Sequence, residues 1–139
     1  MNLRTKQLLV TLFFVGLFAT VATAEEAAKK TWTVAKDKWI KEFSVAFPVT
    51  ICKSNEYFCQ CFAVTQAECE ETATSATRVC INEYKDNIPE VLNQPEDGRH
   101  WGELIGQCAG RAYETTLSNK RNSNEKCNNQ ENWFREYRK

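Results

Sequence analysis

The chain has 139 residues with 18 basic and 18 acidic side chains, a balance that, with no recognition motif in the sequence, argues against nucleic-acid binding. Seven cysteines beside one histidine favour a disulfide framework over zinc, because Cys59-Gln60-Cys61 lacks the wider gap of a zinc knuckle and His100 has no second imidazole to join it. The odd count leaves at least one thiol free, bonded between chains or capped by a small thiol.

Residues 1–24 have the three-part form of a signal peptide. Arg4 and Lys6 supply positive charge, Leu8 to Val21 form an apolar run, and Ala22-Thr23-Ala24 offers small residues for cleavage. A spanning helix needs ~20 apolar residues, and this run gives way at once to Glu25 and Glu26, so no transmembrane segment is expected. No cysteine follows the cleavage site to carry a lipid, and the absence of an Asn-x-Ser/Thr sequon suits bacterial export. Residues 25–139 then have the size of one domain, small enough to lean on disulfide bonds.

The first helix is expected from about Glu26 to Phe47, with Trp32, Ala35, Trp39, Ile40, Phe43 and Phe47 on one face and Pro48 helping to end it. Lys29, Lys30, Lys38 and Lys41 flank that stripe, as on an interfacial membrane helix. Docking onto the rest of the domain is the preferred reading, since Lys36 falls within the stripe. The second helix has the clearest start: Thr65 as N-cap with Glu68 forms a capping box, and Val64 with Cys69 has the spacing of a hydrophobic staple. Cys69, Ala73, Ala76, Cys80 and Tyr84 make its buried stripe, and Pro89 ends it near Asn87. Glu68, Glu70, Glu71 and Glu83 read as a solvated face and not as acid–base catalysts.

A turn-rich linker from Pro89 to Arg99 leads to a third helix, expected over His100 to Ser118. Trp101, Ile105, Cys108 and Ala112 form one stripe, and Gly102, Gly106 and Gly110 a second beside Ala109, Tyr113 and Leu117. Each interior glycine costs about 1 kcal/mol relative to alanine, so three at four-residue spacing imply close approach of a neighbour and a central helix covered on both sides. Asn119 to Gln130 reads as a polar loop tethered by Cys127, followed by a short helix from about Asn129 that carries Trp133, Phe134 and Tyr137.

The expected fold is all-α: a small disulfide-stabilised helical bundle built on an antiparallel helical hairpin. In such a hairpin Cys80 and Cys108 lie at similar distances from the turn and should bond. Cys69 and Cys80 are separated by ~16 Å of helix and cannot; Cys61 is the better partner for Cys69, with Cys127 second.

From Phe58 to about Lys120 the chain resembles a group of small, cysteine-rich helical proteins exported by Gram-negative bacteria. The residues that carry the likeness are Cys61-Phe62, Cys69, Cys80, Trp101-Gly102, Ile105-Gly106-x-Cys108-x-Gly110 and Tyr113. The resemblance implies a periplasmic or secreted protein, a type II secretion substrate of a bacterium that meets eukaryotic hosts. It supplies no catalytic residue, and Cys52, Cys59 and Cys127 lie outside its pattern.

Catalysis has little support in the residues. There is no Gly-x-Ser-x-Gly elbow, no phosphate-binding glycine loop and no HExxH pattern; His100 and Glu103 alone share a helical face. The expectation is an exported non-enzymatic binding or effector protein acting outside the inner membrane, in host interaction, with no cofactor. The alternative is a periplasmic envelope factor, an inhibitor or chaperone, and a metal-dependent hydrolase comes third. Large rings and positive charge interleave at the two ends, which makes Trp32, Trp39, Trp133, Phe134, Arg135, Tyr137 and Arg138 the candidate binding residues. The partner would be a protein or an anionic lipid headgroup, not a nucleic acid, with the odd cysteine open to an intermolecular disulfide.

Overall fold

A computed structural model describes residues 30–137; the expected signal peptide, Lys29 and Arg138 lie outside the described residues. The hairpin at the centre is made by α3 (Gln66–Tyr84) and α4 (Glu96–Thr116). Thr65 starts α3 by accepting the Glu68 backbone N–H at 3.2 Å, and Val64 packs on the cluster that contains Cys69. Glu68 spends its carboxylate on Lys120 just beyond the end of α4. The Cys80–Cys108 bond joins the other halves of the two helices, with Cα atoms 5.9 Å apart. A tie at each end fixes the antiparallel order.

The helix α4 begins at Glu96, four residues before the expected start. Glu96 and Asp97 suit the positive end of a helix dipole, and Asp97 accepts the Asn93 N–H at 2.6 Å. Its glycine stripe has a concrete cause. A β-carbon on Gly102 would lie 3.4 Å from the Phe43 ring, one on Gly106 3.3 Å from Phe47, and one on Gly110 3.4 Å from Phe58. Phe43 and Phe47 belong to α1 (Lys36–Ile51), where Trp39, Phe43 and Phe47 stack in sequence with centroids 5.1 and 5.0 Å apart. The central helix is therefore covered by α3 on one side and by aromatic rings on the other.

Two expectations are corrected by the N-terminal part. The fold is mostly helical but not all-α: β1 (Trp32–Ala35) pairs antiparallel with β2 (Val91–Gln94), in the register Trp32 to Gln94 and Val34 to Leu92. The sequence Trp-Thr-Val-Ala is rich in aromatic and β-branched side chains, and its pairing turns Val34 and Leu92 onto the core. The first helix consequently starts at Lys36, not near Glu26, and Lys36 is held by Glu90 through both its backbone N–H at 2.9 Å and its ammonium at 3.1 Å. At the other end α1 runs through Pro48 to Ile51. The helix continues because its last turn is anchored: Cys52, the C-cap residue, is fully buried and bonded to Cys69.

That bond replaces the expected Cys61–Cys69 pairing. Cys69 joins Cys52 with Cα atoms 5.8 Å apart, and Cys61 joins Cys127 at 5.2 Å. The reason is local. After the one-turn helix α2 (Tyr57–Gln60), the chain runs beside the segment that follows α4: Ala63 N–H donates to Lys120 at 2.8 Å and Asn122 N–H to Cys61 at 2.9 Å. Those contacts turn Cys61 toward the C-terminal segment, leaving α3 to meet α1. Cys59 is the unpaired cysteine.

The core forms two clusters. One gathers Trp39, Ile81, Ile88, Leu92, Ile105 and Ala109 around Cys80. The other gathers Tyr57, Phe58, Phe62, Tyr113, Leu117 and Trp133 around the remaining two disulfides.

Candidate functional site

The candidate binding residues separate by burial. Trp133 is fully buried and Trp39 is 9 % exposed, so both rings are core: Trp133 meets Tyr57 edge-on at 5.8 Å and Trp39 begins the stack along α1. Trp32 stands exposed on β1. Phe134 and Tyr137 are a little over one-third exposed, at 37 % and 38 %, on α5 (Gln130–Glu136) and its C-cap. Asn129 starts α5 by accepting the Asn132 N–H at 3.0 Å. With Trp133 pinned inward, the helix turns Phe134 and the well-exposed Arg135 outward. The Lys126 ammonium lies over the Tyr137 ring at 5.5 Å. Trp32 and the α5 group sit on elements anchored in different core clusters, so the structure does not bring the two ends together.

Beside α5 runs a cleft of about 320 Å³. Gly102, Gly106 and Gly110 form its floor, Phe47, Ile51, Phe58 and Phe134 its walls, and Glu103, Gln107 and Gln130 its polar lip. Sequence reasoning marked the glycines as a packing ridge. It missed that their outer edge remains open next to Phe134, because the cleft is closed by α1, α2 and α5 from distant parts of the chain. A second feature missed entirely is a polar network inside the C-terminal cluster. Tyr57 donates to Glu114 at 2.9 Å, while Arg121 donates to the Tyr57 oxygen at 2.5 Å and to the Cys127 carbonyl at 3.0 Å. Burial, reinforced by the Glu114 carboxylate, pushes the Tyr57 pKa up to about 12, so the phenol stays a donor. Burial likewise raises Tyr113 to about 12, helped by Cys59 and Glu68. The only sequence trace of this network is the aromatic run Tyr57-Phe58 beside two cysteines; Arg121 carries no signal of its own.

The His100–Glu103 pair is not assembled. His100 packs edge-on against Trp101 at 5.0 Å, and Glu103 accepts from Gln107 at 3.2 Å. The Cys59 thiol faces Gln66, 4.0 Å away. Among the described residues, no group of three or more His, Cys, Asp or Glu side chains is placed to hold a metal, and no helix is long and apolar enough to cross a membrane.

No curated protein and no solved structure matches the chain. Residues 33–121 match a family described as "T2SS substrate NttA". The match spans well over half the chain, from β1 across the helical hairpin to Arg121, and takes in the glycine stripe and six of the cysteines, all but Cys127. The chain, cysteine-rich, mainly helical and locked by three disulfides, belongs to this family of type II secretion substrates.

Proposed function

We propose that the protein leaves the cell after removal of residues 1–24 and acts in host interaction as a non-enzymatic binding protein. The face that does the binding is α5 with its adjoining cleft. The observation that carries this reading is the division of labour within α5. Trp133 is fully buried in the core, while Phe134 and Tyr137 keep over a third of their surface exposed and Arg135, ion-paired with Glu136, stands outward beside an apolar depression. Exposed rings with a neighbouring guanidinium are what a binding hot spot uses, the rings for contact area and the arginine for paired donors. The partner that fits is an acidic protein surface. The hairpin behind this face serves as its scaffold, held by the Cys80–Cys108 bond and close packing.

The test is retention of host proteins on the oxidised protein, compared with the double variant Arg135→Glu, Arg138→Glu. The proposal expects the variant to lose what the parent retains while its melting curve stays unchanged. Retention that survives the double change but disappears on mutating Glu70 and Glu71 would move the site to α3. Recovery of the protein only from the periplasm would favour an envelope factor instead.

A further inference from the structure

A second, separate depression of about 450 Å³ lies at the C-terminal end of α4, lined by Arg111, Glu114, Thr115, Ser118 and Arg121. We infer that it is an oxyanion site for a phosphate monoester group, held by Arg111 and Arg121.

Arg121 is prepared for that task. Its Nε donates to the Cys127 carbonyl at 3.2 Å, and its Nη2 to the same oxygen at 3.0 Å and to the Tyr57 hydroxyl. Cys127 is itself bonded to Cys61. One edge of the guanidinium is thus fixed on the disulfide-bonded segment, and among the described residues the other amino group, Nη1, has no hydrogen-bond partner. The side chain is one-third exposed, at 33 %, so that edge is reachable. A fixed planar fork loses little freedom on binding, the feature that suits arginine to phosphate oxygens.

Arg111 supplies the second charge. It sits on the same face of α4 as Glu114 and Thr115, at spacings of three and four residues, and Ser118 follows just beyond the helix end. No hydrogen bond or ion pair engages its guanidinium among the described residues. Thr115 donates to the Arg111 carbonyl at 2.9 Å, which leaves the Ser118 hydroxyl as the other neutral donor lining the depression.

Two features oppose an anion here, and the arginines act against both. The last carbonyls of α4 present the negative end of the helix. Glu114 adds a carboxylate, but its Oε1 already accepts from Tyr57 at 2.9 Å and lies 3.8 Å from Arg121. Against that one carboxylate the depression sets two guanidinium groups, a net of one positive charge. A phosphate ester presents three oxygens to the arginines and to Ser118, where a carboxylate presents two.

The experiment uses the disulfide-bonded exported protein, followed by backbone and arginine Nε–H resonances. It is titrated with inorganic phosphate and with O-phosphoserine at constant ionic strength, chloride serving as blank. Saturable shifts are expected at Arg111, Ser118 and Arg121. Arg111→Gln, a surface change that leaves the fold intact, should weaken binding at least tenfold; Arg121→Lys should do the same despite keeping the charge. Arg135→Glu should leave binding unchanged, which separates this site from the α5 face. Pelleting with vesicles containing phosphatidic acid, against phosphatidylcholine alone, distinguishes a lipid source of the phosphate from a soluble one. Shifts that fail to saturate, or that are the same in Arg111→Gln, overturn the assignment.

Discussion

At the scale of single residues, Gly106 and the two buried tyrosines make the sharpest claims. A β-carbon at Gly106 would already press on Phe47 at 3.3 Å, so a leucine there has to push the ring off α4. Gly106→Leu is expected to destabilise by about 1–3 kcal/mol, the usual cost of overpacking, and to close the cleft beside α5; urea unfolding measures the first and loss of retained partner the second. Tyr57 and Tyr113 have no exposed surface and both have pKa values raised to about 12 from 10.0. A group whose pKa is higher in the folded state stabilises fully below its unfolded pKa and loses that contribution as pH rises through the folded value. Stability should therefore hold up to about pH 10 and fall between about pH 10 and 12, by an order of 2–3 kcal/mol per tyrosine. The measurement is a set of urea midpoints across that range on Cys59→Ser, which prevents the free thiolate from attacking the disulfides at high pH and removes the Cys59 contribution at Tyr113 while keeping burial, the larger cause. A flat profile would mean that the phenols reach solvent.

At the scale of elements, the residues that spoke clearly were those whose signal is local. The Thr65 cap is decided by four consecutive residues, and α3 starts where they place it. The glycine stripe of α4 required a close neighbour, and rings from α1 and α2 fill that role. The strand β1 was not legible, because four residues that also continue a helical stripe become a strand only when β2, some sixty positions on, lies alongside. The start of α4 was hidden for a related reason: Pro95-Glu96-Asp97-Gly98 has the composition of a turn, and only the folded chain shows it as a first helical turn. For the candidate site, composition located the rings but could not sort them. Trp133 and Phe134 are neighbours in sequence, yet the first is fully buried and the second over a third exposed, a difference set when α5 docks on a cluster built from distant parts of the chain. The sheet has its own test. Leu92 is fully buried in β2, and Leu92→Ala should cost about 2–5 kcal/mol; a cost below 1 kcal/mol would show that the strand pair contributes nothing to the core.

At the scale of the whole molecule, the disulfides are ranked by the loops they close, with sequence separations of 17, 28 and 66 residues. Loop-closure entropy gives about 3.1, 3.6 and 4.3 kcal/mol for Cys52–Cys69, Cys80–Cys108 and Cys61–Cys127 respectively. Removing each pair as serines should lower the melting temperature in that order, with Cys61–Cys127 the most damaging because it also releases the backbone that holds Arg121. Full reduction should lower it further than any single pair, and a melt indifferent to reductant would mean that the two core clusters suffice alone.

The seventh cysteine adds a consequence that comes from parity. With an even number of cysteines, a chain that has closed every bond wrongly has no thiol left and is trapped until an outside reductant frees it. An odd number forbids that trap: every three-bond isomer of this chain, right or wrong, retains one sulfur able to attack a neighbouring disulfide and pass the vacancy on. Rearrangement ends when the idle sulfur is Cys59, half-buried against Gln66, because only then do both core clusters close. Oxidative refolding of Cys59→Ser without added thiol is accordingly expected to stall as a mixture of scrambled isomers, resolved by chromatography under non-reducing conditions. The parent chain should converge on one species under the same conditions, and equal yields from both would show that the pairing is reached without shuffling.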